Sequence, residues 1–151
     1  MTNKVSLSIS DENADVRLAV AKRIGVASLP QMMKDRDVEV RRAVAYRIKP
    51  CYLSQMLDDE EREVRRAVAE RVDIKELPFL IEDYDENVRY EVAQRILPKY
   101  LPKMMKDEKG SVRWVVAKRI ALKYLLRMKD DDSWGIGRIV KERLAKEGVK
   151  K

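Results

Sequence analysis

Apolar residues return along this chain at a fixed interval of 24. Each unit can be counted from an aspartate, at Asp11, Asp35, Asp59, Asp83, Asp107 and Asp131. Position 6 of the unit is then Val16, Val40, Val64, Val88, Val112 and Ile136. Positions 10 and 11 read Val20-Ala21, Val44-Ala45, Val68-Ala69, Val92-Ala93 and Val116-Ala117. Position 14 is Ile24, Ile48, Val72, Ile96, Ile120 and Leu144, and position 19 is Leu29, Leu53, Leu77, Leu101 and Leu125. Positions 6, 10 and 14 are four apart, so on a helix they form one stripe. The first part of each unit is therefore predicted to be a helix of about ten residues.

Acidic residues crowd the start of that helix, as in Asp11-Glu12-Asn13-Ala14-Asp15 and Asp83-Tyr84-Asp85-Glu86-Asn87. They suit the positive end of the helix dipole and can cap its free amides. Arg23, Arg47, Arg71, Arg95, Arg119 and Arg143 hold position 13, near the negative end. Pro50 and Pro98 are expected to stop the helix in their units. Pro30, Pro78 and Pro102 follow the position-19 leucine and suit the first turn of a second, short helix. So short a segment fits three residues per turn, with Met32, Met56, Leu80, Met104 and Met128 facing inward.

One unit cannot bury its stripe alone, but stacked units can, and the product is a superhelix. The expected organisation is a single solenoid domain over residues 1–151: an N-terminal cap at 1–10, five full repeats at 11–130, and a degenerate sixth repeat with a C-terminal cap at 131–151. Val5, Leu7 and Ile9 read as the tail of a lost unit. In the last unit Gly137 replaces the arginine of position 7 and Lys141 the alanine of position 11.

The unit Asp-x4-Val-Arg-x2-Val-Ala-x-Arg-Ile-x4-Leu-x2-Met, running over residues 11–144, resembles the leucine-rich repeat variant family. The resemblance implies an all-α fold: alternating α and short 3₁₀ helices in a right-handed superhelical solenoid without β-sheet. The best-known member of that family carries a cysteine-ligated iron–sulfur cluster before its repeats. Here there is one cysteine, Cys51, and no such segment in the sequence, so this chemistry is not expected to carry over.

Charge changes the picture more than composition does. Charged residues make up 39% of the chain and apolar residues 45%, which suits a thin object with a real core. Residues 1–82 carry 15 basic and 15 acidic side chains, whereas residues 83–151 carry 18 and 11, the whole of the net +7. An acidic partner, nucleic acid included, would find its complement there. No stretch is apolar for long enough to span a membrane, and the N-terminus does not read as a secretory signal. A single cysteine fits a reducing cytoplasm.

The sequence contains no histidine, which removes histidine acid–base catalysis, the serine and cysteine triads and Cys/His zinc sites. Gly135 and Gly137 lack the further residues of a phosphate loop. Asp83, Asp85 and Asn87 match the first ligands of a calcium loop, but Val88 and Gln94 stand where it needs glycine and glutamate. No catalytic, cofactor-binding or metal-binding residues are assigned, and no cofactor is expected.

Three polar arrays remain. Arg17, Arg41, Arg65, Arg89 and Arg113 occupy position 7, which at 100° per residue lies beside the apolar stripe. Their reading is a structural ladder, each guanidinium bridging an aspartate of its own or the next unit, with a ligand-binding array as the alternative. Positions 8 and 12 point away from the stripe, and there Arg42, Tyr46, Arg66, Tyr90, Trp114 and Lys118 form a candidate binding surface. Lys99, Lys103, Lys123 and Arg127, beside Tyr100 and Tyr124, form a candidate basic patch. The expected function is a non-enzymatic protein-binding scaffold whose partner is another protein. The alternative is a nucleic-acid-binding solenoid using the basic second half.

Overall fold

The structure is a computed structural model that describes residues 8–146 and Gly148. Val5 and Leu7 of the expected N-terminal cap lie outside the described residues. Every regular element among the described residues is a helix. The chain divides into two compact units, residues 1–73 and 74–151.

In the first unit α1 (Ala14–Arg23) is followed by the 3₁₀ helix η1 (Val26–Met32), α2 (Val38–Arg47), η2 (Pro50–Met56) and α3 (Arg62–Ala69). The second unit runs η3 (Leu77–Leu80), α4 (Glu86–Arg95), η4 (Pro98–Met104), α5 (Gly110–Arg119), α6 (Leu122–Leu125), η5 (Leu126–Met128) and α7 (Ile136–Lys146). Successive α-helices pack on each other within each unit, α1 on α2 and α2 on α3, then α4 on α5 and α5 on α7. Each short helix lies against the α-helix that follows it, as η1 does on α2 and η4 on α5.

The α-helix begins one residue after position 3. Asp37 accepts from the amides of Glu39 and Val40, Asp85 from those of Asn87 and Val88, and Asn13 from that of Asp15. Each bond satisfies a donor that the first turn would leave free. The aspartate of position 1 folds the chain just before, its Oδ1 accepting from the position-3 amide, as Asp35 does from Asp37 and Asp83 from Asp85, both at 2.9 Å. Asp83 and Asp85 of the acidic turn therefore use their carboxylates on its own backbone, while Glu86 pairs with Lys109 at 2.6 Å. Among the described residues no cluster of three or more such side chains is placed to hold a metal ion.

Proline does not end the α-helices, contrary to expectation. The helices α2 and α4 stop at Arg47 and Arg95, but α1 and α5 stop at the same position with Val26 and Leu122 where the others have Pro50 and Pro98. The chain turns instead at position 14. Ile24, Ile48, Ile96 and Ile120 adopt ψ of 148–153° while each amide still bonds the position-10 carbonyl at 2.8 Å. Extension here carries the chain away from the helix axis while the side chains of Ile48, Ile96 and Ile120 stay in the core.

The short helices also begin earlier than proposed, at position 16 rather than 20 in η1, η2 and η4. Pro50 and Pro98 open η2 and η4, where a missing amide hydrogen costs nothing. Pro30 and Pro102 lie inside their 3₁₀ helices, whose φ they match. The leucines of position 19 and the methionines Met32, Met56, Met104 and Met128, with Leu80, are buried.

The last repeat starts late because Gly135, at position 5, has φ of 84°. That left-handed backbone cannot join a helix, so α7 opens only at Ile136.

Candidate functional site

Two arginines per repeat do different work. The position-7 arginine reaches forward. The Nε and Nη2 of Arg17 donate to both oxygens of Asp35 at 2.8 and 2.9 Å, and those of Arg89 to Asp107 at 2.7 and 3.0 Å. Arg41 forks onto Asp59 and Arg113 onto Asp131 in the same way. The remaining Nη1 turns back to the carbonyl at position 1 of its own repeat, as Arg17 does to Asp11 and Arg65 to Asp59. Position 2 adds another acceptor for three of them: Glu60, Glu108 and Asp132 take bonds of 3.1, 3.0 and 2.7 Å from Arg41, Arg89 and Arg113.

These pairs are sheltered, with Arg17, Arg41 and Arg89 all buried. The bond to its aspartate holds the guanidinium of Arg17, Arg41, Arg89 and Arg113 above its ordinary range. Burial pushes the carboxyls of Asp35 and Asp131 upward. The arginine fork and the position-3 amide together outweigh it, and both carboxyls end below their usual range.

The position-13 arginine reaches backward. Arg47 donates to the carbonyls of Ala21 and Ile24, and Arg71 to those of Ala45 and Ile48. Arg119 repeats this on Ala93 and Ile96, and Arg143 on Ala117 and Ile120. Its targets are the carbonyls that the end of the preceding α-helix leaves open. The expectation had placed this cation at the end of its own helix. Burial over these carbonyls lowers the Arg119 guanidinium.

The candidate surface at positions 8 and 12 is less open than expected. Arg42, Tyr90 and Trp114 are half-buried, whereas Tyr46, Arg66 and Lys118 are exposed. The cations lean on their own helices: Arg42 bonds Glu39 at 2.6 Å, Arg66 lies 3.4 Å from Glu70, and the Lys118 ammonium sits 3.5 Å above the Trp114 ring. A half-buried position 8 follows from helix geometry, since it lies three residues before the buried alanine of position 11 and so on a neighbouring part of the helix surface. In the first unit the structure places Arg42, Tyr46 and Arg66 on α2 and α3. In the second it places Tyr90, Trp114 and Lys118 on α4 and α5.

The basic patch lies wholly in the second unit. Lys99, Lys103, Lys123 and Arg127 are exposed on η4, α6 and η5. Lys99 stands 4.9 Å from the Tyr100 ring, and Lys123 and Arg127 stand 5.0 and 5.6 Å from Tyr124. Each tyrosine ring thus already holds a cation of its own repeat.

A third surface was not singled out from the sequence. Between successive position-1 turns lies a cleft bordered by the ladder arginine. One of about 370 Å³ runs beside Arg17, one of about 520 Å³ beside Arg41 and one of about 370 Å³ beside Arg89. The cleft beside Arg113 is wider, about 880 Å³, and takes in Lys103 and Arg127 of the basic patch. Its variable charged side chains come from positions 2, 21 and 24. They are the non-repeating positions next to the most repetitive ones, and that is the signal that could have marked them.

Cys51 is exposed on η2 and is the sole cysteine of the sequence. An iron–sulfur cluster needs several thiolates, so these residues do not fit one.

No family model matches the chain, and no curated protein matches it. Among solved structures, the chain is similar to an engineered protein with a TM-score of 0.56 and 12% identity, over 93% of this chain and 94% of that one. At that identity the likeness concerns the fold alone. It is also similar to a leucine-rich repeat variant described as having a novel repetitive structural motif. There the TM-score is 0.83 and the identity 38%, over 89% of this chain. The chain spans 58% of the length of that structure. With its alternation of α and 3₁₀ helices every 24 residues, the chain belongs with the repeat proteins of the leucine-rich-repeat-variant type.

Proposed function

We propose that this chain is a non-enzymatic scaffold that binds another protein. One observation carries the reading: the charged groups that recur in every repeat are spent inside the structure, and the side chains left facing solvent are those that vary. In Arg17, Arg41, Arg89 and Arg113 all three guanidinium nitrogens donate to an aspartate fork or to position-1 carbonyls, which supports a structural role for the ladder rather than a ligand-binding one. A rigid frame with variable surface residues is what a repeat protein uses to select a partner. The exposed thiol of Cys51 supports work in a reducing compartment, the cytoplasm. Among the described residues no helix is long and apolar enough to cross a membrane.

A second reading, nucleic-acid binding, draws on the four exposed cations gathered on neighbouring short helices of one unit. Affinity capture before and after nuclease treatment separates the two. A partner protein retained after nuclease, and lost from a Tyr46→Ala/Trp114→Ala variant or from a Lys103→Glu/Arg127→Glu variant, is the expected result. Loss of all captured material on nuclease treatment would move the assignment to nucleic acid. Labelled generic DNA and RNA that bind with a steep salt dependence would say the same.

A further inference from the structure

We infer that the cleft beside Arg113 is the docking site for an extended acidic peptide segment of a protein partner. The segment would carry carboxylates three residues apart and an aliphatic side chain between them. This rests on the protein-scaffold reading and gives it a place and a chemistry.

The cleft measures about 880 Å³, within the ~300–1,000 Å³ typical of ligand sites and well above the three clefts equivalent to it. Its apolar lining is Pro102, Met105 and Met128, the first two half-buried. Its charges divide into spent and unspent. Asp107 is forked by Arg89 and Asp131 by Arg113, whose Nη2 also bonds the exposed Asp132. Lys103, Lys106 and Arg127 are exposed and outnumber Asp130, the one acid of the lining not paired with an arginine. An apolar floor under a cationic rim suits an aliphatic side chain flanked by carboxylates.

Spacing selects the extended form. Lys103 and Arg127 hold the same position in consecutive repeats and line one cleft, and α4 and α5 of those repeats pack together, which for α-helices sets a spacing of ~8–10 Å. A polyproline II chain advances ~3.1 Å per residue with three residues per turn, so residues three apart share a face at ~9 Å. Two such carboxylates can meet Lys103 and Arg127 together.

Two observations favour peptide over nucleic acid here. The lining also carries Asp130 and Asp132, whose side chains are 86% and 92% exposed, so a segment with discrete, spaced carboxylates can avoid them where a continuous polyanion cannot. The rings of Tyr100 and Tyr124 already hold lysines of their own repeat, with Arg127 also on Tyr124, and these cations compete with the stacking of bases.

The test uses the full chain and a fluorescein-labelled peptide of four Glu-Leu-Pro triplets, read by fluorescence anisotropy. Binding is expected, with affinity at least tenfold weaker for Lys103→Glu/Arg127→Glu and for a peptide of Glu-Ser-Pro triplets, and none for Lys-Leu-Pro triplets. Lys103 and Arg127 are exposed, so circular dichroism and melting should be unchanged in the variant. No binding, binding indifferent to the substitutions, or equal binding of the lysine peptide would overturn the inference. So would preferential binding of a 20-nucleotide oligothymidylate that the same variant abolishes. If the peptide fails but a nuclease-resistant partner is still captured by Lys103→Glu/Arg127→Glu, the cleft is wrong and the scaffold reading stands. If capture vanishes with nuclease, the scaffold reading falls as well.

Discussion

The buried arginine–aspartate fork joins one repeat to the next through single residues. A buried ion pair is weak evidence of net stability, because both charges had to leave water. Removing one partner is another matter, since it strands the other. Arg89→Ala would leave Asp107, 6% exposed at its side chain, without its fork and with only the Lys109 amide still donating to its carboxylate. We expect a loss of about 3 kcal/mol in unfolding free energy, measured by urea denaturation. A loss below the ~0.5 kcal/mol of an ordinary surface change would show that the fork is dispensable. The same geometry sets a pH dependence. Asp35 and Asp131 have folded-state values below their unfolded ones, so their contribution is fully present above the unfolded value of ~3.9 and is lost as pH falls through the folded value. Asp131→Asn should therefore be less stable than wild type at pH 7, and the gap should close as pH drops below ~4. A gap that stays constant down to pH 2 would contradict the depressed carboxyl.

At the scale of elements, the helices were legible where their cause was a side-chain period and hidden where it was a backbone acceptor. Val40, Val44 and Ile48 place α2 from the sequence because burial at every fourth residue leaves a mark in residue type. The targets of Arg47 leave none, since any residue offers the same carbonyl and the two lie 26 and 23 residues back. The start of the short helices was hidden for a related reason. Positions 16 to 18 carry no residue common to every unit, as in Val26-Ala27-Ser28 and Pro50-Cys51-Tyr52, so no fixed residue announces η1 or η2. The backward reach of position 13 has a consequence that separates it from a local charge–dipole effect. Arg47→Met should loosen the end of α1 rather than the helix that bears the residue. Hydrogen exchange is expected to speed up at the Ile24 amide, with a stability loss of about 2 kcal/mol, as for hydrogen bonds to charged donors. Faster exchange at Ile48, with Ile24 unchanged, would return the arginine to the dipole of its own helix.

Over the whole chain, the repeat makes one design serve many times, and that governs how substitutions combine. The candidate site was half legible for the same reason: repetition exposes what is structural, and the proposed docking cleft takes its distinguishing side chains, such as Lys103, Lys106 and Asp130 around Arg113, from positions that do not repeat. Repeat proteins hold themselves together through nearest-neighbour terms, so each fork should act as a separate unit of stability. Arg41 bonds Asp59, Glu60 and the carbonyl of Asp35, whereas Arg89 bonds Asp107, Glu108 and the carbonyls of Asp83 and Tyr84, with no acceptor in common. The losses from Arg41→Ala and Arg89→Ala should therefore add to within ~0.5 kcal/mol in the double variant. Arg41→Ala combined with Asp59→Ala should fall well short of the sum, because the second substitution removes the carboxylate that the first one stranded. Urea denaturation of the three single and two double variants reads both comparisons at once. Additivity in both pairs would mean that Asp59 carries its cost independently of Arg41, and the fork would then be a contact of proximity rather than the joint between repeats.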